Sequence, residues 1–254
     1  MGQLDGKIAL ITGAARGQGA EEAKLFVEEG AQVILCDLLE EEGSALAASL
    51  GTAARFIKLD VADRESWQRV TDRIAADYAR LDILVNNAAI CMPTPFTADA
   101  IAAFDAQYRV NQLGPYLGIR ATLPLMSTAG GSIINIASAS GVKAYNGHAG
   151  YSASKYALRG LTKVAAVDLA IYNIRVNAIL PGFIETPMIA DLIDLPAVRD
   201  QIARLPARRS GVPRDIANMA LFLASDNSSY CTGADFVCDG GLLTGQISAR
   251  DLAR

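Results

Sequence analysis

A short apolar run that ends in a glycine turn and leads into a helical pattern constrains this chain more than any other feature. Lys7-Ile-Ala-Leu-Ile-Thr12 is β-branched and apolar and reads as a buried strand. Gly13-Ala-Ala-Arg16-Gly17-Gln18-Gly19 follows, and Glu21 to Glu29 then reads as a helix stopped by Gly30. Strand, glycine turn and helix is the context of a phosphate-binding loop. Glycines let backbone approach a pyrophosphate closely, and the helix N-terminus offers free N–H groups at the positive end of its dipole. The spacing is G-x3-G-x-G rather than G-x-G-x-x-G, and a glycine turn alone has many uses.

A second strand, Ala31 to Asp37, ends in a carboxylate about twenty residues past the loop, the place of an acid that binds the ribose 2′-hydroxyl of NAD. Its charge would repel the 2′-phosphate of NADP, and Leu38 and Leu39 supply no cation to offset it. Arg16 in the loop is the contrary hint, and a plain turn residue is the alternative reading of Asp37. The expectation is NAD.

Further apolar runs at Ala54–Val61, Leu81–Asn86, Gly131–Ser138, Ile174–Ala178 and Ala234–Cys238 alternate with helical stretches. That rhythm predicts an α/β fold, a doubly wound parallel sheet of about seven strands with helices on both faces. With 254 residues, 51% of them hydrophobic, the chain supports a single domain spanning 1–254. Residues 184–208, rich in Leu, Ile, Pro and Arg, interrupt the rhythm and read as a substrate lid. The absence of an eighteen-residue apolar run argues against a membrane span, and the net charge of −4 against a nucleic-acid partner. A strand begins almost at once and the four cysteines lack metal or disulfide spacing, so the expectation is a cytoplasmic protein without a metal.

Tyr151-Ser-Ala-Ser-Lys155 follows Ser138 by thirteen residues. Residues four apart share a helix face, so the Lys155 ammonium is expected beside the Tyr151 phenol, lowering its pKa from about 10. Such a phenol can exchange a proton with an alcohol or ketone oxygen that Ser138 holds. For an isolated Y-x-x-x-K, an amphipathic surface helix is the better reading; the dinucleotide loop reverses that preference. Ser140 shares strand parity with Ser138 and is the fallback. His148, the sole histidine, reads as a loop residue beside Asn146-Gly147, with substrate contact as the lesser alternative. Cys91 and Met92 are candidate pocket residues, and Met188, Ile189, Leu192 and Ile193 suggest an apolar lid. Simple packing explains both groups equally well.

Together these features resemble the short-chain dehydrogenase/reductase family, from Leu4 to about Gly245, and within it bacterial NAD-dependent hydroxysteroid and secondary-alcohol dehydrogenases. Ser138, Tyr151 and Lys155 match the catalytic trio, and Asn111 sits at the family's catalytic asparagine. The resemblance implies cofactor contacts from Gly13, Arg16, Gly17, Gln18 and Gly19 in the loop, and from Asp37. It implies Asp60 and Val61 at the adenine, Asn87 within Asn86-Asn87-Ala88-Ala89, and Tyr151 and Lys155 beside the nicotinamide ribose. Pro181, Gly182, Ile184 and Thr186 would hold the carboxamide. Ala89 and Ala137 depart from the usual glycine and serine. The implied activity is interconversion of a secondary alcohol and a ketone, with a bulky apolar cyclic or hydroxysteroid-like substrate, by a homotetramer. The alternatives are an NADPH-dependent 3-oxoacyl-thioester reductase and a silent NAD-binding scaffold.

Overall fold

The run after Lys7 forms β1 (Ile8–Thr12), and later apolar runs form β2 (Gln32–Asp37), β3 (Ala54–Lys58), β4 (Ile83–Asn86), β5 (Gly131–Ile136), β6 (Ile174–Pro181) and β7 (Asp235–Cys238). Every pairing is parallel, in the order β3-β2-β1-β4-β5-β6-β7, which is the Rossmann-type doubly wound sheet expected. This computed structural model describes residues 2–248; residue 1 and residues 249–254, the ends of the expected domain, lie outside the described residues. Strand ends depart from expectation in two places that matter. β5 stops at Ile136, and β6 runs on to Pro181.

The connecting helices are α1 (Gly17–Glu28), α2 (Glu40–Ser49), α3 (Arg64–Tyr78), α4 (Ile101–Tyr108), α5 (Gly114–Met126), α6 (Ala149–Asp168), α7 (Ala190–Ile193), α8 (Pro196–Ala203) and α9 (Pro213–Ala224). Strand side chains alternate between the sheet faces. Ala9, Ile11, Val33, Leu35 and Val85 pack with Phe26 of α1 and Ile216 and Ala220 of α9. Ile8, Leu10, Ile34 and Leu84 pack on the other face with Trp67 of α3, Ile119 of α5 and Ala165 of α6. Because both faces are covered, only the strand ends remain for a ligand.

A buried polar chain seats α6 on the sheet. Asn86 Nδ2 donates to Asn135 Oδ1 at 2.8 Å, and Asn135 Nδ2 donates to Thr162 Oγ1 at 2.9 Å. Each link satisfies a group that would otherwise be buried at a cost. The apolar positions of α6 divide cleanly: Leu158, Ala165 and Leu169 are buried, whereas Val164 and Val167 are exposed.

One carboxyl group in α1 is buried without compensation. Glu22 is fully buried, and neither carboxyl oxygen has a hydrogen-bond partner among the described residues. Burial pushes its carboxyl up to about 8 from an ordinary 4.5. A raised carboxyl binds more protons folded than unfolded, so its stability contribution is intact below pH 4.5 and falls as pH rises toward 8. Glu22→Met is expected to leave stability at pH 4.5 nearly unchanged and to raise it at pH 7 by on the order of 3 kcal/mol. Urea unfolding at the two pH values checks this; a gain equal at both would contradict it.

Candidate active site

The glycine turn leaves β1 through backbone that a side chain would obstruct. Gly13 has φ +64°, and a Cβ there would sit 2.8 Å from Ala88 Cα; at Gly19 a Cβ would sit 2.4 Å from Gly13 O. Asn87 explains the tightness: its Nδ2 donates to the Thr12 and Gly13 carbonyls at 2.9 and 3.0 Å. The Thr12 hydroxyl donates to Val85 O and accepts from the N–H groups of Asn87 and Ala88. Thr12 opens the segment that resembles the family's cofactor loop, and these three bonds tie that segment to the end of β4.

A cleft of about 590 Å³ runs along the carboxyl ends of the strands. Gly13, Arg16, Gly17, Gln18, Asp37, Asp60, Val61 and Asn87 line it, together with Ser138, Tyr151, Lys155, Pro181, Gly182, Ile184 and Thr186. Of the anticipated site residues, Gly19 and Asn111 do not line it. Gly19 is buried in α1, and Asn111 is buried behind the wall.

Several observations fit a nicotinamide dinucleotide. The N-terminus of α1 has no side-chain cap, Arg16 being its N-cap residue, so its first N–H groups are available to an anion. The buried Gln18 Oε1 has no partner among the described residues. Asp37 accepts from Ala15 N at 3.0 Å and Leu39 N at 3.1 Å, which holds its carboxylate at the cleft. Ala62 N likewise donates to Asp60 Oδ1 at 2.9 Å.

The chain just after β5 settles the choice between the two serines. Ala139–Gly141 is a 3-10 turn, so strand parity does not extend to Ser140. Ser138 Oγ faces the cleft and accepts from Ser140 N at 3.0 Å, whereas Ser140 does not line the cleft. Asn111 lies in a π-helical turn, Arg109–Leu113, between α4 and α5. Its Oδ1 accepts from Ile90 N at 2.9 Å, and its Nδ2 donates to Ile90 O at 2.8 Å and Ser154 Oγ at 3.1 Å. Asn111 therefore ties the loop after β4 to the helix that carries Tyr151. Ala89 has ordinary φ, so the methyl that replaces glycine introduces no backbone strain.

Lys155 is almost wholly buried; its Nζ donates to Ile136 O at 2.7 Å and lies 5.6 Å from the centre of the Tyr151 ring. The expected lowering of the Tyr151 pKa is not found. Burial, followed by the neighbouring Cys91, pushes the phenol up to about 12, and the Ser138 hydroxyl opposes this. Burial pushes Lys155 down to about 7 from an ordinary 10.5. Loss of hydration for both groups outweighs their proximity.

His148 lies outside the cleft and its Nδ1 pairs with Asn146 O, as expected of a loop residue. Cys91 and Met92 do line the cleft. Of the proposed lid side chains, Met188 and Ile189 line it; Ile193 lines a neighbouring cavity and Leu192 is exposed.

A family model described as Enoyl-(Acyl carrier protein) reductase matches residues 13–243, most of the chain. The chain belongs to the short-chain dehydrogenase/reductase family. This dehydrogenase is 40% identical over 259 residues to trans-4-hydroxycyclohexanecarboxylate dehydrogenase of Sinomonas cyclohexanicum, covering 96% of each chain. It is 42% identical over 245 residues to 3-alpha-(or 20-beta)-hydroxysteroid dehydrogenase of Mycobacterium bovis, covering 96% of this chain and 92% of the relative. A solved gluconate 5-dehydrogenase from Burkholderia cenocepacia, in complex with NADP and tartrate, superposes with a TM-score of 0.91. Identity there is 36%, over 95% of this chain and 97% of that one. The dehydrogenase is thus an alcohol–ketone oxidoreductase that uses a nicotinamide cofactor, and these relatives do not favour the thioester-reductase alternative. None of its described helices is long and apolar enough to cross a membrane.

The depressed Lys155 makes a prediction about the ligand-free protein. A lysine with a lowered folded pKa binds fewer protons folded than unfolded, so its contribution to stability increases from about pH 7 to 10.5. Lys155→Met is expected to stabilise the ligand-free protein at pH 6 by a few kcal/mol, with the gain shrinking toward pH 10. Chemical denaturation of both proteins across that range checks it, and a pH-independent difference would refute it.

Proposed function

We propose that this dehydrogenase interconverts bulky apolar cyclic secondary alcohols, hydroxysteroids among them, and their ketones, with NAD as cofactor. The observation that carries the reading is the opening of Ser138, Tyr151 and Lys155 into the same cleft as the glycine loop and Asp37. The turn Gly13 to Gly19 and the uncapped start of α1 would take the pyrophosphate. Asp37 would take the adenosine ribose hydroxyls, with Asp60 and Val61 at the adenine. Pro181, Gly182, Ile184 and Thr186 would hold the carboxamide, and Asn87 braces the glycine loop.

When bound, the nicotinamide accepts or returns a hydride. Ser138 donates a hydrogen bond to the substrate oxygen, and Tyr151 takes the hydroxyl proton in oxidation and gives it back in reduction. Lys155 would bind the nicotinamide ribose hydroxyls and, when protonated, favour the phenolate that burial disfavours. Asn111 fixes the loop after β4 against α6, within which a water between Lys155 and solvent would be held. Residues 184–208 serve as the lid through Ile184 and Thr186 to Ile189.

NAD is favoured over NADP because the carboxylate at the end of β2 is pinned by two N–H groups and would meet a 2′-phosphate with like charge. Arg16 is the one cation beside it on the cleft among the described residues. A homotetramer is favoured by the apolar side chains left exposed on α5, α6 and the turn after it: Tyr116, Tyr156, Val164, Val167 and Ile171. Light scattering at the mass of a monomer would remove that assignment.

Tyr151→Phe is expected to lower kcat for alcohol oxidation, followed at 340 nm, by at least about 100-fold, with NADH affinity by fluorescence nearly retained. Unchanged turnover would exclude Tyr151 as the acid/base. In the unmodified protein NAD should give the higher kcat/KM, and Asp37→Ala should shift the NAD-to-NADP ratio toward NADP by at least about tenfold. A preference for NADP before substitution would show that Arg16 outweighs Asp37.

A further inference from the structure

We infer that the substrate compartment of this dehydrogenase accepts uncharged alcohols and excludes carboxylates, a specificity that rests on the alcohol-dehydrogenase reading of the site. Charge is distributed unevenly along the cleft. Arg16, Asp37 and Asp60 lie with the loops after β1, β2 and β3, the dinucleotide end of the sheet. Apart from those three and Lys155, the lining of the cleft is uncharged and includes Ile90, Cys91, Met92, Val110, Met188 and Ile189, with Cys91 beside the Tyr151 phenol. Burial pushes the Cys91 thiol up, so it stays uncharged at neutral pH.

Apart from Arg16, Lys155 is the one cation that lines the cleft among the described residues, and it is not free to pair with a substrate carboxylate. It is buried, and its Nζ is held by the Ile136 carbonyl. Arg199 pairs with Asp194, Arg209 pairs with Asp215, and Lys143 lies over the ring of Tyr145; none of the three lines the cleft. Arg208 lines the neighbouring cavity, which shares only Thr186 and Pro187 with this cleft.

A carboxylate moved from water against apolar walls loses its hydration and gains no ion pair or donor in return. The Ser138 and Tyr151 hydroxyls are taken by the reacting oxygen. A neutral ring or steroid skeleton meets no such cost and buries apolar area. This specificity would separate the chain from its 40% identical relative named for a hydroxycyclohexanecarboxylate.

The test compares kcat/KM for 4-hydroxycyclohexanecarboxylic acid, ionised at pH 8, with that for its methyl ester and for cyclohexanol, using purified protein and NAD. The ester retains the shape and adds bulk but removes the charge. The ester and cyclohexanol are expected to exceed the acid by at least about 100-fold. Met188→Lys, which puts a cation on the wall, should move the acid-to-ester ratio toward the acid by about tenfold. Comparable kcat/KM for acid and ester would overturn the inference. So would an ester as poor as the acid beside active cyclohexanol, since size would then be the limit. Failure to oxidise any secondary alcohol with either cofactor would remove the dehydrogenase reading itself, and this specificity with it.

Discussion

The reversal of winding between β1 and β4 is the constraint on which the rest of the molecule depends. From β1 the chain moves outward to β2 and β3, then returns to place β4 on the other side of β1. Right-handed crossovers send the helices of the two directions to opposite faces, so a crevice opens at the carboxyl ends where the direction changes. The glycine turn leaves β1 there and Asn87 leaves β4 there. Their mutual hydrogen bonds are the seam of the site. A turn without Gly13 and Gly19 would be driven apart from that seam by its own Cβ atoms.

The reacting end depends on a different kind of accuracy. α6 must present Tyr151 and Lys155 at one height and angle, and apolar packing alone lets a helix slide. The Asn86–Asn135–Thr162 chain and the Asn111–Ser154 bond give α6 directional contacts with two strands and with the π-helical turn. Polar groups buried in this way discriminate among positions more sharply than methyl groups, because an unmatched one is costly. The same burial sets the electrostatics. Burial holds both the phenol and the ammonium toward their neutral forms.

Much of this was legible in residue order. The strand–glycine–helix start, the carboxylate at the end of β2 and the regular alternation of elements gave the parallel sheet, because periodicity and turn chemistry are local properties. The spacing of Tyr151 and Lys155 likewise puts them on one face, since four residues is about one helical turn, whereas Ser138 is named through the family resemblance. The errors arose where the outcome was not local. The strand parity expected to join Ser138 and Ser140 is absent because β5 ends at Ile136 and a 3-10 turn takes over. Of the apolar side chains anticipated on the lid, Met188 and Ile189 line the cleft and Leu192 and Ile193 do not, a difference that spacing along the chain does not reveal. The three hydrogen bonds of Thr12 join residues more than seventy positions apart.

The Tyr151 phenol marks the division most clearly. Sequence by itself determined that a lysine stands one turn from it, and therefore that the two share a face. Only the tertiary structure decided what that neighbour does. The direction of a pKa shift depends on how much water each group has lost, and burial is a property of the packed chain rather than of any spacing within it.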